Sequence, residues 1–161
     1  MTIIERRAEL GAGVAYATNH PDHLLNVRAS NMSAFPDDPG HFVCWLAARQ
    51  SAHSYGPDDF APRHLYRDYL SSLLVPLLAD GRLRHVRAEA IAVREIAGGL
   101  AVACGVGPPL RGDLLVVATG NEGPSLPAES WCFEGWSGDH GLAAIEADAP
   151  VVIIAIQGPR S

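Results

Sequence analysis

The sequence predicts a single α/β domain with a parallel sheet, an antiparallel β ribbon and a helical insertion. Two short apolar runs, residues 2–4 and residues 113–118, are typical of strands buried in a parallel sheet. Residues 39–79 place apolar side chains at helical spacing, and after Gly81 the hydrophobic period falls to two. Strands, helices and a ribbon in one chain indicate a mixed α/β architecture.

Composition and charge restrict the class of protein. With 161 residues, 48% of them hydrophobic and 19% charged, the chain has room for one ordinary domain with one core. A formal net charge of -6 offers no basic surface to nucleic acid or to an anionic membrane, so we expect a small-molecule substrate or a protein partner. The three cysteines are far apart and form no C-x-x-C pair, which argues against a disulfide framework or a zinc cluster and favours the cytoplasm. No apolar run is long and uncharged enough for a bilayer span or a signal peptide.

The first strand, residues 2–4, leads towards a long loop. Residues 11–40 show no sustained period and are interrupted repeatedly by glycine, asparagine and proline. A connection of this length is uncommon in a compact domain, and it is usually functional or covers a ligand. Apolar side chains are expected to anchor it: Leu24, Leu25, Val27, Met32 and Phe35.

Two helices are expected next. The first covers residues 39–51, and Asp38 is placed to cap its amino end. The second covers residues 62–79, where apolar side chains share one face and Asp80-Gly81 ends the helix. Residues 54–60 are polar and contain glycine, so we expect them to form the connection between the helices.

The remaining chain predicts strands. Residues 85–96 alternate in hydrophobicity, and Ala97-Gly98-Gly99 predicts a hairpin turn before residues 100–104. Residues 105–112 are expected to form a turn. The apolar run 113–118 predicts a central parallel strand, which ends in a loop that reaches Asn121. Further along, residues 124–141 predict a loop, and residues 150–156 predict a second buried strand.

Two features near the amino end point towards nucleotide binding. Gly11-Ala12-Gly13 contains the glycine pair that can cradle a pyrophosphate, but no helix pattern follows it and Tyr16 occupies the third glycine position. Flexible backbone in the loop explains the pair equally well. Glu5 follows the first strand, where an acidic residue of a dinucleotide-binding fold accepts hydrogen bonds from ribose hydroxyls. An exposed carboxylate at a strand end is the alternative.

An ordered set of motifs resembles one family. The set runs from Glu5-Arg6-Arg7 through Leu10-Gly11-Ala12-Gly13, His23-Leu24-Leu25-Asn26-Val27, Met32-Ser33-Ala34-Phe35-Pro36, Trp45-Leu46 and Phe60-Ala61-Pro62-Arg63 to Ala118-Thr119-Gly120-Asn121. Over residues 3–154 the chain is similar to the bacterial FAD/NAD(P)-binding proteins, flavoproteins with two dinucleotide-binding folds. The resemblance implies an incomplete Rossmann-like fold, FAD and NAD(P)H as cofactors, and oxidoreductase activity in the intact family member.

The same resemblance implies what this sequence lacks. In the family, a strand and a glycine-rich turn for the FAD pyrophosphate precede the strand that carries the acidic residue, and a second glycine-rich turn serves NAD(P)H. Neither turn is found in these 161 residues. We therefore expect a central part of such an enzyme, which ends at the first strand of a second dinucleotide-binding segment. We also expect it to bind FAD weakly or not at all when isolated.

The family pattern assigns cofactor-binding roles residue by residue. It implies that Glu5 binds the ribose and that Arg6, the next residue, also binds the cofactor. It implies that the segment from Val86 to Ala88 contacts the adenine. It implies flavin contact at Thr119 and Gly120, where a strand-ending turn is the alternative. Asn26 and Met32 resemble loop positions that face the flavin. The alternatives are a local turn hydrogen bond for Asn26 and packing in the core for Met32. The sequence leaves any catalytic residue unknown.

Three further hypotheses remain open. Arg63 and Tyr66 share a helix face and could line a pocket, although a solvated arginine and a half-buried tyrosine are equally compatible with the pattern. A metal-dependent hydrolase would use the histidines at positions 20, 23, 41 and 64, for which no cysteine or glutamate completes a ligand set. A non-enzymatic module would bind a second copy or a partner chain through an exposed apolar sheet edge.

Overall fold

The computed structural model describes residues 1–49 and 54–120, all of which belong to one compact unit, Met1–Gly120. Its strands are β1 (Thr2–Ile4), β2 (Arg84–Val86), β3 (Ala90–Ile96), β4 (Gly99–Cys104) and β5 (Leu110–Gly112). Its helices are α1 (His41–Ala48) and α2 (Arg63–Ala79), with a short 3-10 turn at Ala29–Asn31. The expectations for residues 124–141 and 150–156 lie outside the described residues, and the assignment of all 161 residues to one domain stays a prediction.

The described strands form two sheets. β1 pairs with β2 in parallel, with Ile3 opposite His85 and Ile4 opposite Val86. β3, β4 and β5 form an antiparallel sheet in that order. The hairpin between β3 and β4 turns at Ala97-Gly98, as predicted, and Gly98 adopts a positive φ of 79° there. The predicted fold class is therefore confirmed as a mixed α/β arrangement.

The predicted strand 85–96 is wrong in one respect, because it divides into two strands that belong to different sheets. β2 ends at Val86 and β3 begins at Ala90. The Ala88 amide donates to the Val86 carbonyl at 3.0 Å, which turns the chain away from β1 after the parallel pairing is complete. Alternating side chains indicate extended backbone but do not identify the strand with which it pairs.

Other boundaries differ from the sequence predictions. α1 is shorter than predicted, since Gly40 precedes it with no side-chain cap and Arg49 is extended after it. The expected cap at Asp38 is wrong. α2 matches its predicted span and ends, as predicted, before Gly81, whose φ is 76°. Residues 105–112 contain β5 as well as the predicted turn.

The predicted strand at residues 113–118 is wrong in the described structure. No regular secondary structure is assigned to residues 113–120, and Leu114, Val116 and Val117 are 83%, 79% and 70% exposed. An apolar run becomes a strand only where neighbouring strands accept its backbone hydrogen bonds. Among the described strands, β1 and β2 pair with each other and β5 pairs with β4.

The core lies between the long loop and the two helices. Leu25 and Ala29 from the loop pack with Phe42 and Leu46 of α1, with Ala61, and with Tyr69 of α2. Phe42 and Tyr69 are completely buried, and their ring centroids are 4.9 Å apart. The Tyr69 hydroxyl accepts a hydrogen bond from the Ala34 amide at 3.1 Å and lies 2.8 Å from His41 Nδ1. The loop is thus an integral part of the core.

Hydrogen bonds attach the same loop to α2 and to the segment before it. Arg63 donates from Nε to the Leu24 carbonyl at 2.9 Å and from a terminal guanidinium nitrogen to the Ala15 carbonyl at 3.1 Å. The Leu25 amide donates to the Ala61 carbonyl at 2.9 Å. These contacts explain how a loop of this length stays ordered without strands of its own.

Candidate functional site

Parallel strands β1 and β2 end side by side at one edge of their sheet. The Glu5 amide donates to the Val86 carbonyl at 3.1 Å, so the pairing continues one residue past β1, to the last residue of β2. In open α/β sheets, ligands bind at the carboxyl ends of parallel strands. Four residues predicted to bind the cofactor lie at this edge or directly follow it: Glu5, Arg6, Val86 and Ala88. We call this group the strand-end site.

Glu5 carries the only carboxylate in the strand-end site, and its side chain is half-buried. One carboxylate oxygen, Oε1, accepts a hydrogen bond from the Arg7 amide at 2.9 Å. For the other oxygen, no hydrogen-bond partner is found within residues 1–49 and 54–120. An ionised carboxylate only accepts hydrogen bonds, so this second oxygen suits a hydroxyl donor such as a ribose.

The backbone after β2 forms the second half of the strand-end site. The Val86 carbonyl accepts from both the Glu5 amide and the Ala88 amide, and Ala88 itself is 8% exposed. Within the described part of the chain, the peptide N–H of Arg87 has no hydrogen-bond partner. Among the described residues, the main-chain donor that has no partner beside Ala88 is therefore that of Arg87, and the predicted adenine contact stays a prediction.

Two side chains that sequence reasoning missed also reach this edge. His85 Nε2 lies 3.2 Å from the Glu5 carbonyl oxygen, and Arg87 donates from Nε to the Arg6 carbonyl at 3.2 Å. The sequence signal for them was their position beside Val86, which becomes informative only when the register of β1 and β2 is known. Arg6 itself is exposed, and it contributes its carbonyl rather than a described side-chain contact.

The flavin-side predictions are not joined to the strand-end site by any described contact. Met32 is half-buried and packs against the core, and its amide donates to the Ala29 carbonyl at 3.1 Å. Asn26 is exposed beside buried Leu25. Thr119 and Gly120 are exposed in the segment after β5, and Gly120 has a φ of 74°. Their flavin contacts stay predictions.

The first glycine of the pair in the long loop, Gly11, packs against a helix, whereas a Cβ at Gly13 would meet nothing within 4 Å. A side chain at Gly11 would approach the backbone nitrogen and Oγ of Ser71 in α2 at 3.1 Å, and Ser71 donates to the Leu10 carbonyl at 2.7 Å. Gly11 also has a positive φ of 93°. Glycine is required here by close approach to the middle of a helix, whereas a phosphate cradle lies at a helix amino end.

The remaining sequence candidates take structural positions. His20 and His23 stack with centroids 4.9 Å apart, and the described residues contain no group of three side chains that could hold a metal ion. Arg63 holds the loop to α2, and Tyr66 contacts Phe42 and Tyr16 in the aromatic core. In the same part of the chain, no helix is long and apolar enough to cross a membrane.

Comparison with known proteins adds one match. A family model described as FAD-NAD(P)-binding matches residues 1–122, a span that includes all eight residues predicted to bind the cofactor. No curated protein matches the chain. The match covers three quarters of the sequence and includes both halves of the strand-end site.

Proposed function

The chain belongs to the FAD-NAD(P)-binding family, and on that premise we propose that its strand-end site binds the adenosine end of FAD in an NAD(P)H-linked oxidoreductase. FAD and NAD(P)H are the cofactors that this family membership gives. The flavin, when bound, supplies the redox chemistry with NAD(P)H as the reductant, while the protein groups bind and orient it. The observation that carries the proposal is the backbone hydrogen bond from Glu5 to Val86, which brings Glu5 beside the Val86–Ala88 segment at one parallel-strand edge.

The residues present fit an adenosine. Glu5 offers a carboxylate oxygen to the ribose hydroxyls, and Arg87 offers to the adenine edge a peptide N–H that has no partner among the described residues. Three arginines follow Glu5 and Val86 directly or nearly so in the chain, at positions 6, 7 and 87, and their positive charge favours an anionic cofactor at this edge. We also propose that four further residues contact the flavin: Asn26, Met32, Thr119 and Gly120.

AMP is the ligand that tests the adenosine half of the proposal. We expect AMP, titrated into the chain and followed by NMR, to shift the amide signals of residues 5–7 and 86–88. Glu5→Gln removes the charge from the hydrogen-bond acceptor and should weaken AMP binding about tenfold. Glu9→Gln, which changes the charge equally at an exposed position, should leave binding unchanged. Equal affinity of the Glu5 variant and wild type would contradict the proposal.

FAD itself should bind weakly to residues 1–161. Most pyrophosphate affinity in dinucleotide folds comes from backbone donors at a glycine-rich turn, and this sequence contains no G-x-G-x-x-G. The absorbance spectrum of the purified chain should therefore lack stoichiometric flavin bands. A stoichiometric yellow protein would show that other residues hold the pyrophosphate.

A second candidate is a module that associates through its apolar surface, with a second copy of the chain as the partner. The high exposure of Leu114, Val116 and Val117 supports it. Light scattering across a concentration series should then show a dimer, and a monomer at all concentrations would remove this candidate. Under either proposal we expect a cytoplasmic location, which the free thiols of Cys44 and Cys104 support.

A further inference from the structure

Two side chains from β2 and its exit reach the carbonyls of the turn that carries Glu5. His85 Nε2 is 3.2 Å from the Glu5 carbonyl oxygen, and Arg87 Nε is 3.2 Å from the Arg6 carbonyl oxygen. A carbonyl oxygen can only accept, so His85 must carry a proton on Nε2. Two successive peptide groups after β1 are thus bonded by side chains from the neighbouring strand.

These bonds begin where the sheet pairing stops. The last backbone bond between the two chain segments is from the Glu5 amide to the Val86 carbonyl. Beyond it, the described bonds that fix the turn are the two side-chain bonds and the bond from the Arg7 amide to the Glu5 carboxylate. The direction of the Glu5 side chain therefore depends on how firmly the carbonyls of Glu5 and Arg6 are held.

We propose that His85 and Arg87 are positioning residues for the ribose-binding carboxylate of Glu5. They hold the turn so that one carboxylate oxygen accepts from the Arg7 amide and the other faces a ligand hydroxyl. That His85 and Arg87 fix the turn follows from contacts within the protein. The effect of this on ligand affinity rests on the proposed function. Fixing a ligand-binding group before the ligand arrives raises affinity because less ordering remains for the binding step.

His85 should have the larger effect. Its side chain is half-buried, so water competes less for its bond than for that of the exposed Arg87 side chain. Arg84 provides a control on the same strand, because it is exposed and its side chain has no hydrogen bond or ion pair among the described residues.

The experiment uses the whole chain, AMP as the ligand and four variants. His85→Phe keeps a flat ring without the donor, and His85→Gln keeps an N–H donor at nearly the same reach. Arg87→Lys keeps the charge but lacks Nε, and Arg84→Met is the control. NMR measures the hydrogen-exchange rate of the Arg7 amide without ligand, the ring ¹⁵N shifts of His85 and the AMP dissociation constant.

We expect His85→Phe to raise Arg7 exchange and to weaken AMP binding, each about three- to tenfold, and Arg87→Lys to do so about twofold. His85→Gln should restore most of the slow Arg7 exchange and most of the AMP affinity, and Arg84→Met should change neither quantity. The wild-type ring shifts should report the Nε2–H form. Recovery with glutamine separates positioning from general packing, since glutamine restores the donor but not the ring.

Three other outcomes would decide against the positioning role or against the proposed function. Unchanged Arg7 exchange and unchanged AMP affinity in both His85→Phe and Arg87→Lys would overturn the positioning role. Faster exchange with unchanged AMP affinity would also overturn it, because the turn would then be irrelevant to the ligand. Faster exchange in a protein whose wild type binds no AMP would contradict the proposed function while supporting the hold on Glu5. If His85→Phe fails to fold, Arg87→Lys decides the question, since it changes an exposed side chain.

Discussion

The loop–helix core and the region from β3 to Gly120 are both rich in apolar residues, yet the first buries them far more completely. In the core, Phe42, Tyr69, Ala29 and Ala61 have no solvent exposure. In the second region, which we call the sheet region, six of the seven β3 residues are exposed, and so are most residues after β5. The apolar content of a segment therefore does not determine its burial. A facing element does, and the core has three of them: a loop and two helices.

This difference means that different interactions hold the two regions together. The core is stabilised by side chains removed from water, which contribute roughly 25 cal/mol for each Å² buried. The sheet region is held mainly by backbone pairing, such as Val93 opposite Val102 and Leu100 opposite Gly112. Side-chain truncation should damage the first region, and backbone obstruction should damage the second.

The largest effect should come from Phe42→Ala. Phe42 is fully buried and contacts Trp45, Tyr66 and Tyr69, so its removal leaves a cavity that rigid rings cannot fill. We expect a loss of about 3–5 kcal/mol in the free energy of unfolding, measured by urea denaturation. Phe35→Ala removes the same atoms at a site that is 42% exposed and should cost less than about half as much. Equal losses would contradict the contrast between buried and exposed apolar residues.

Gly99→Ala tests backbone pairing in the sheet region. An added Cβ at Gly99 would lie 2.6 Å from the Gly112 carbonyl oxygen in β5, and the φ of Gly99 is 144°. Because the obstacle is backbone, β4 and β5 must separate, at a cost of about 2–3 kcal/mol. Gly98→Ala is the control: its φ is 79°, but a Cβ there meets nothing within 4 Å, so only conformational strain of about 1 kcal/mol is added.

Hydrogen exchange would show where the damage falls. Gly99→Ala should speed exchange of the β5 amides while leaving α1 and α2 protected. Loss of protection throughout the described residues would instead mean that the sheet region and the core unfold together.

Alkaline pH offers a smaller test of the core without removing volume. Burial raises the pKa of the Tyr66 hydroxyl above its ordinary value of 10.0, and the nearby Tyr16 and Tyr69 raise it further. Above pH ~10 the unfolded chain loses this proton before the folded chain does, so the folded state binds more protons and stability falls with rising pH. The contribution is complete below the unfolded pKa and is lost as pH rises through the folded one.

Tyr66→Phe removes this ionisation. The urea midpoint of the variant should decline less steeply than that of wild type between pH ~9 and pH ~11. Parallel declines would show that the Tyr66 hydroxyl titrates alike in both states, contrary to the effect of its burial.

Sequence patterns predicted the elements that depend on local signals. The α2 face, the Asp80-Gly81 stop and the Ala97-Gly98 turn were found because helix periodicity and glycine conformations are local properties. The division of residues 85–96 between two sheets could not be read from alternation, because alternation is the same whichever strand is the partner. The strand predicted at residues 113–118 was wrong for a related reason, because a continuous apolar run does not show whether a neighbouring strand is available to pair with it.

The candidate site shows the same division between local and non-local signals. Glu5 was predicted from its position after a strand, and Val86 and Ala88 from family resemblance; the structure brings them to one edge, and their cofactor-binding roles stay predictions. The side-chain contacts of His85 and Arg87 with the turn after β1 were not predicted, because they depend on register, a non-local property. The role of Gly11 is likewise decided by the packing of a loop on α2, which no local pattern reports.

The smallest effect is expected where the sequence predicted a buried strand. Val116 is 79% exposed, so Val116→Asp should change the free energy of unfolding by less than about 0.5 kcal/mol. Val102→Asp, in β4 of the same region, places a charge at a site that is only 8% exposed and should cost about 3 kcal/mol or more. A loss at Val116 comparable to that at Val102 would mean that the segment is covered after all. The dependence of this loss on protein concentration would then show what buries Val116. Burial against a second copy gives a loss that grows with protein concentration, whereas burial within one chain gives a constant loss.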